Sequence, residues 1–384
     1  MKRRIRVLEV LEATVGGTRK HLVSLLRGLD KQRVEVEVAC PSVRYGSIKD
    51  TGFVEEVQSL GVPLHFIDMR RGVSPFIDLK GIIQLFQLIY SRQYDIVHVH
   101  SSKAGFLGRI AAKLGGIKTV YTPNGFYFLN SDNLIKSKVF LLLEQLAGLL
   151  TDSLIAVSDS EREIAVKNRI IADQKVVVIP NAIDPEEFLP DLPVGKRIRA
   201  ELNISPSTIV VGTVSRYIPQ KDPLTFIRAA HLVLASRPQT RFVWCGEGEM
   251  REEIEALARQ LEIYEAFYFL GFRHDVKDIM NAFDLFVLSS IFEGLPYTLL
   301  EVMALGLPVI ATHVVGSKDI VVDGETGILV PPQQPERLAQ AILELLADQQ
   351  RRQEMGQRGQ QTVHNRYSLK KTVADVEKVY QVLI

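Results

Sequence analysis

Two successive series of short β-branched runs alternating with longer amphipathic runs constrain this chain more than any other feature. The first series has strand-like segments at 5–11, 34–40, 95–100, 118–122, 153–158 and 175–179. Helical periodicity falls at 19–29, 76–90, 103–114 and 135–150. Strands joined through helices run parallel, and a parallel sheet needs cover on both faces. After Pro180 the rhythm breaks in NAIDPEEFLPDLPVGKR, where Pro185, Pro190 and Pro193 interrupt regular structure, so this stretch reads as a linker. A second series follows, strand-like at 208–214, 241–245, 266–270, 285–288, 308–311 and 327–330, and helical at 224–236, 250–261, 297–305 and from 336 onward. At 384 residues the chain has material for two cores. The expectation is an α/β protein of two doubly wound, Rossmann-like domains facing across a cleft.

Composition excludes several classes. Forty-six Lys and Arg balance forty-five Asp and Glu, a formal charge of +1, which gives no mandate for nucleic acid. Cys40 and Cys245 are the only cysteines and lie far apart, against a zinc cluster or a disulfide framework and in keeping with a reducing cytoplasm. The basic start MKRRIRVLEVLEA is interrupted by Glu9 and Glu12, so it reads as a first strand rather than a signal peptide. No apolar run approaches the roughly 18 residues of a membrane span.

The most informative segment is SSIFEGLPYTLLEVMALGLPVIAT. Pro296 suits the first turn of a helix, whose start would leave the amides of Tyr297, Thr298 and Leu299 open to an anion. Glu293 before that helix and Glu301 within it each offer two carboxylate oxygens, the match for a vicinal diol of a ribose or hexose. A dipole-favoured Glu beside a solvated helix face is the other reading. In VVGTVSRYIPQKDPLTF, Arg216 and Lys221 leave the carboxyl end of a strand, with Asp222 and Pro223 as cap and first residue of the next helix. Such cations can hold a diphosphate and stabilise its charge as it departs; two surface cations are the alternative.

The pair Gly16–Gly17 after the first strand allows close approach of a ligand, or is a plain turn. Gly-x-Gly-x-x-Gly is absent, and the second strand ends Ala39-Cys40-Pro41 with no acidic residue for a dinucleotide ribose, which disfavours a dehydrogenase. His98 and His100 share a strand face. No nearby carboxylate or cysteine cluster completes a metal site in the sequence, so a ligand-facing role is expected for at least one of them. Asp-x-Asp is also absent. Chemistry without a metal or other cofactor is therefore expected.

With these residues assembled, the chain resembles the retaining GT-B glycosyltransferases of family four, including those that build bacterial surface and capsular polysaccharides. The resemblance spans nearly the whole chain and is carried by GTVSRYIPQKD, FVWCGEGEM, FLGFRHDV, FDLFVLSSIFEGLPYTLLEVMALGLPVIAT and GETGILVPP, with VGGTRKHL, HVHSSKAGFLGR, YTPNGFYF and IPNAID before them. It implies an acceptor-binding domain at 1–184, a nucleotide-sugar domain at 185–366, and a segment 367–384 packing back on the first domain. It implies catalytic roles for Arg216 and Lys221 on the diphosphate and for Glu293 on the transferred sugar, with Glu301 on the nucleotide ribose. Gly16, Gly17, Asn124, Gly294, Leu295, Thr298 and Leu299 would line the donor, the backbone at Phe272 and Arg273 would meet the base, and His100 and Lys103 are candidates on the acceptor side. Many members carry His where this chain has Asn124, and Asn cannot act as a general base. The proposal in which the leaving diphosphate oxygen takes the acceptor proton survives that change.

The implied partners are a UDP-sugar donor and a sugar, lipid-linked sugar or small-molecule acceptor, with no nucleic acid. The segment 135–150, with Lys136 and Lys138, reads either as a core helix or as one lying on the inner membrane face. A nucleotide-sugar epimerase of the same fold and a non-catalytic sugar-nucleotide-binding protein are the competing readings.

Overall fold

In the computed structural model, residues 3–42, 52–70, 72–130 and 133–384 are described. Among them, the first sheet holds β1 (Ile5–Leu11), β2 (Val34–Cys40), β3 (Leu64–Phe66), β4 (Ile96–His100), β5 (Lys118–Thr122), β6 (Ser153–Ala156) and β7 (Val176–Val178). Their order is β3-β2-β1-β4-β5-β6-β7. The second sheet holds β8 (Val210–Val214), β9 (Arg241–Cys245), β10 (Phe267–Gly271), β11 (Leu285–Leu288), β12 (Val309–Thr312) and β13 (Gly327–Val330), ordered β10-β9-β8-β11-β12-β13. Neighbours pair in parallel throughout. In both sheets the order reverses beside the first strand, between β1 and β4 and between β8 and β11. Ligands of doubly wound sheets bind at the carboxyl ends of such a reversal.

The two-residue period of a strand divides the first sheet's side chains between two cores. Leu8, Val10, Val97 and Val99 pack with Leu85 of helix Pro75–Arg92 and Leu107 of helix Ser101–Leu114. On the other face Val7, Ile96, Val120 and Ile155 meet Leu25 of helix Gly17–Gly28 and Val373, Val376 and Tyr380 of helix Leu369–Leu383. The second sheet buries Val211, Phe242, Trp244 and Val287 under helices Pro223–Ser236 and Pro335–Ala347.

The chain forms two compact units, Met1–Ala182 with Leu369–Ile384, and Ile183–Ser368. The sequence placed these borders at 184 and 366. The supposed linker is partly structured: Pro193 lies in the first turn of helix Leu192–Glu201, where proline is tolerated because the amide it lacks has no partner there. Helix Asp159–Lys167 and strand β3 also escaped the sequence reading, being too short to show a period.

Candidate active site

At the β8/β11 reversal the two strand-leaving loops are stitched together. Ile291 N donates to Gln220 O (2.9 Å), and Gln220 Nε2 donates to Phe292 O (3.1 Å). Ser289 Oγ donates to the carbonyls of Lys221 (2.8 Å) and Asp222 (3.1 Å). Asp222 caps helix Pro223–Ser236, as its sequence position suggests, accepting from Thr225 N at 3.3 Å. This stitching brings Lys221 and Glu293 into a largely buried ion pair, Lys221 Nζ donating to Glu293 Oε1, and Ser290 Oγ donates to the same oxygen. Thr312 Oγ1 in turn donates to Ser290 O. Two residues assigned to different parts of a donor therefore hold each other. An ammonium and a carboxylate taken out of water are costly unless matched.

Helix Tyr297–Ala304 follows Glu293 and carries buried Glu301. Pro296 is its cap rather than its first residue, because its backbone is still extended (ψ 117°). The expectation of an open amide at Leu299 also fails: that amide donates to Pro296 O at 3.2 Å, tightening the first turn. Leu295 and Leu299 point into the core, whereas Gly294 and Thr298 are half-buried. The loop before Ser317 presses on this segment. A Cβ on Gly316 would sit 2.3 Å from Gly294 O, so only glycine permits that approach.

Arg216 is exposed in the loop after β8. Phe272 and Arg273 follow β10, which lies two strands from β8. The Arg273 guanidinium is engaged by Asp275 through two bonds of 2.7 Å and by Glu201 at 2.9 Å, and these partners raise its pKa above the ordinary arginine value. Its side chain is structural. Exposed Phe272 stacks edge-on against His274, 4.8 Å between ring centres.

Gly16, Gly17, Asn124, His100 and Lys103 belong to the first unit. Gly16, at φ 73°, and Gly17 open helix Gly17–Gly28 and are exposed. Asn124 is left-handed (φ 53°), and its buried Nδ2 has no partner. Its loop is fixed by Glu161, which accepts from Gly125 N (2.6 Å) and Val157 N (2.7 Å). Lys103 is committed to Asp78, 2.8 Å from both carboxylate oxygens.

The reading that no carboxylate neighbours the histidines is corrected by β1, whose Glu9 lies in register with His98. Glu9 Oε2 is 2.7 Å from His100 Nε2 and 3.3 Å from His98 Nδ1. Tyr380 OH donates to Glu9 Oε1 (2.8 Å) and lies 2.7 Å from His98 Nδ1, while His98 Nε2 meets Thr122 Oγ1 at 2.8 Å. Burial pushes the Glu9 carboxyl up, but His98 and His100 outweigh it and hold it well below the carboxylate range. Burial, then His98, lowers His100 to about 4. Glu9, His98 and His100 are the one group among the described residues with the composition and spacing of a metal site. Its atoms are already spent on Tyr380, Thr122 and one another, apart from His100 Nδ1.

Sequence reasoning missed Ser290, Glu9, His21 and Tyr380. The first stands in plain view beside the buried strand in LFVLSS. The other three come together across 371 positions of chain, which no local pattern reports.

Comparison with known proteins accounts for both units. Residues 195–362 match the family described as "Glycosyl transferases group 1", and residues 15–187 that described as "Glycosyltransferase Family 4". The Escherichia coli UDP-Gal:alpha-D-GlcNAc-diphosphoundecaprenol alpha-1,3-galactosyltransferase is 32% identical over 80% of this chain and 82% of its own. The Staphylococcus aureus capsular polysaccharide biosynthesis glycosyltransferase CapM is 25% identical over 95% and 97%. Among solved structures, Anabaena HepE, crystallised with UDP and glucose, superimposes with a TM-score of 0.85 over 98% of this chain and 100% of its own, at 20% identity. The fold is that of the GT-B glycosyltransferases.

Proposed function

The chain belongs to the group 1 glycosyl transferases, and on that premise we propose that it is a retaining enzyme moving a sugar from UDP to an acceptor hydroxyl. It is a glycosyltransferase, and its curated relatives support a place in polysaccharide or glycolipid biosynthesis. The observation that carries the finer reading is the Lys221–Glu293 pair at the β8/β11 reversal. A nucleotide-sugar offers each member a better partner: the diphosphate takes Lys221, with Arg216 beside it, and the sugar hydroxyls take Glu293. Glu301 receives the ribose diol. In the transfer, the acceptor oxygen bonds to the anomeric carbon, the bond from that carbon to the diphosphate oxygen breaks, and the departing diphosphate takes the acceptor proton. Asn124 need not be a base. Arg216 and Lys221 supply the positive charge for which other transferases use a metal, so the reaction is proposed to be metal-independent.

Binding of UDP to wild type and to Glu301→Ala tests this assignment. Loss of charged hydrogen bonds to the ribose is expected to weaken UDP roughly 10–100-fold. Equal affinity of the two proteins would remove Glu301 from the ribose.

A lipid-linked acceptor and peripheral contact with the inner membrane face extend the proposal. Among the described residues, no helix is long and apolar enough to cross a membrane. Helix Leu134–Gly148 packs Phe140 and Leu141 on the core and turns Glu144 inward to Arg109 (2.8 Å) and Tyr121 OH (3.0 Å), while Leu134, Ile135, Val139, Leu142 and Leu146 are exposed beside Lys136 and Lys138. Phe76 and Tyr90 of helix Pro75–Arg92 are likewise exposed. An apolar face whose exposed charges are basic suits anionic lipid. Co-sedimentation with phosphatidylglycerol vesicles but not with phosphatidylcholine is expected; sedimentation with neither would end the membrane reading.

A further inference from the structure

Two imidazoles on the Glu9 face of the first sheet each keep one ring nitrogen unused. His21, on helix Gly17–Gly28, has Nδ1 2.9 Å from Asn181 Oδ1. An amide oxygen only accepts, so Nδ1 carries the hydrogen and Nε2 is a bare lone pair. His100 has Nε2 2.7 Å from the Glu9 carboxylate, which likewise only accepts, so its Nδ1 is bare. Both bare nitrogens are buried and have no hydrogen-bond partner. The two rings lie 5.3 Å apart, centre to centre.

The surroundings restrict what can meet them. Burial, then His100 and His98, lowers His21 to about 3, and His100 falls to about 4, so both rings are neutral near pH 7. Lys103, in the first turn after His100, is spent on Asp78. A phosphate or carboxylate at the two bare nitrogens themselves would meet lone pair against lone pair, with Lys103 already engaged by Asp78. Ser101 and Ser102, directly after His100, add buried hydroxyl oxygens without partners, and Ser101 is held left-handed at φ 62°. Hydroxyls both donate and accept, and a sugar carries several in a row. Rings with such lowered pKa values are poor proton acceptors, so theirs is a positioning role rather than a base's.

We propose that His21 and His100 form a paired hydrogen-bond acceptor for hydroxyls of an uncharged sugar acceptor, selecting against phosphate or carboxylate at that place. The proposal rests on the glycosyltransferase reading for the word acceptor, but not for the chemistry of the pair.

Side-chain nitrogen NMR of the full chain, with histidine labelled, tests it directly. The probes are methyl α-D-glucopyranoside, methyl 2-acetamido-2-deoxy-α-D-glucopyranoside, inorganic phosphate and UDP-glucose. The bare-nitrogen signals of His21 and His100 are expected to move saturably with at least one glycoside and not with phosphate. In His21→Leu the His100 response should be lost while UDP still raises the melting temperature. If phosphate moves the signals, or if neither glycoside does, as a fixed internal water would dictate, the pair is not a sugar site. A response to UDP-glucose alone would reassign it to the donor. Failure of UDP to stabilise wild type, with the glycoside response intact, would instead strike at the UDP-donor reading. The wild-type titration depends on no variant folding.

Discussion

Both sheets reverse their strand order beside the first strand, yet they furnish that position in opposite ways. At β8/β11 the polar groups sit on loops, and the central pair is Lys221–Glu293, which is proposed to open onto a nucleotide-sugar. At β1/β4 they sit on the strands themselves, and Glu9, His98, His100 and Tyr380 form a network sealed by the last helix of the chain. The loop-borne pair is proposed to exchange partners by side-chain movement alone, its loops staying tied to each other. The strand-borne network cannot exchange partners, since any slip would unpair buried groups. On the proposed function the second reversal serves the reaction, while the first ties the unit together and leaves two imidazole nitrogens open.

The sharpest way to break that contrast is Lys221→Ala. It removes the cation proposed to receive the leaving diphosphate, and turnover should fall by about 10²–10³-fold. Steady-state rates with a UDP-sugar would measure it; a loss of less than tenfold would mean that Lys221 only balances Glu293.

Acidification should act on the first unit. His21 and His100 have folded values of about 3 and 4 against an ordinary 6.5, and Glu9 is held below its ordinary 4.5. Below pH 6.5 the unfolded imidazoles bind protons that the folded ones refuse, so stability is full above pH 6.5 and declines as the pH falls towards 4. The slope approaches roughly 1.4 kcal/mol per pH unit for each imidazole. Glu9 adds loss in the same direction below pH 4.5. Denaturant titrations at pH 7 and pH 4.5 would read this, and equal midpoints would contradict the burial of neutral imidazoles.

Tyr380→Phe should have the smallest effect. Leaving Glu9 Oε1 without its donor costs about 1–3 kcal/mol of stability. The Michaelis constant for the donor should stay as it was. A shifted donor constant with unchanged stability would turn the contrast around and make the first network part of the reaction.

How legible was each reversal in the sequence? The second was nearly so. Arg216, Lys221, Glu293 and Glu301 lie in two short segments, each following a strand, so period and local chemistry were enough to nominate them. Their pairing was not legible, because Gln220 and Ser289 tie the loops by bonds between residues about seventy positions apart. In the first unit His98 and His100 were visible by their spacing of two, but Glu9 read as an interruption of an apolar strand rather than as their partner. The segment 135–150 read either as a core helix or as one lying on the membrane face, and sequence alone did not separate the two. In the fold Phe140 and Leu141 pack on the core and Glu144 turns inward to Arg109, while Leu142 and Leu146 stay exposed.

Alternation of β-branched and amphipathic runs determined two parallel α/β units by itself, because period and crossover length are local properties of a chain. It also determined which loops carry the cations and carboxylates. What those groups do to one another was decided only by tertiary structure. Register aligned Glu9 with His98, the returning helix delivered Tyr380, and loop stitching closed Lys221 on Glu293. Burial then set the charge state of each group, and burial belongs to the packed molecule rather than to any stretch of its sequence.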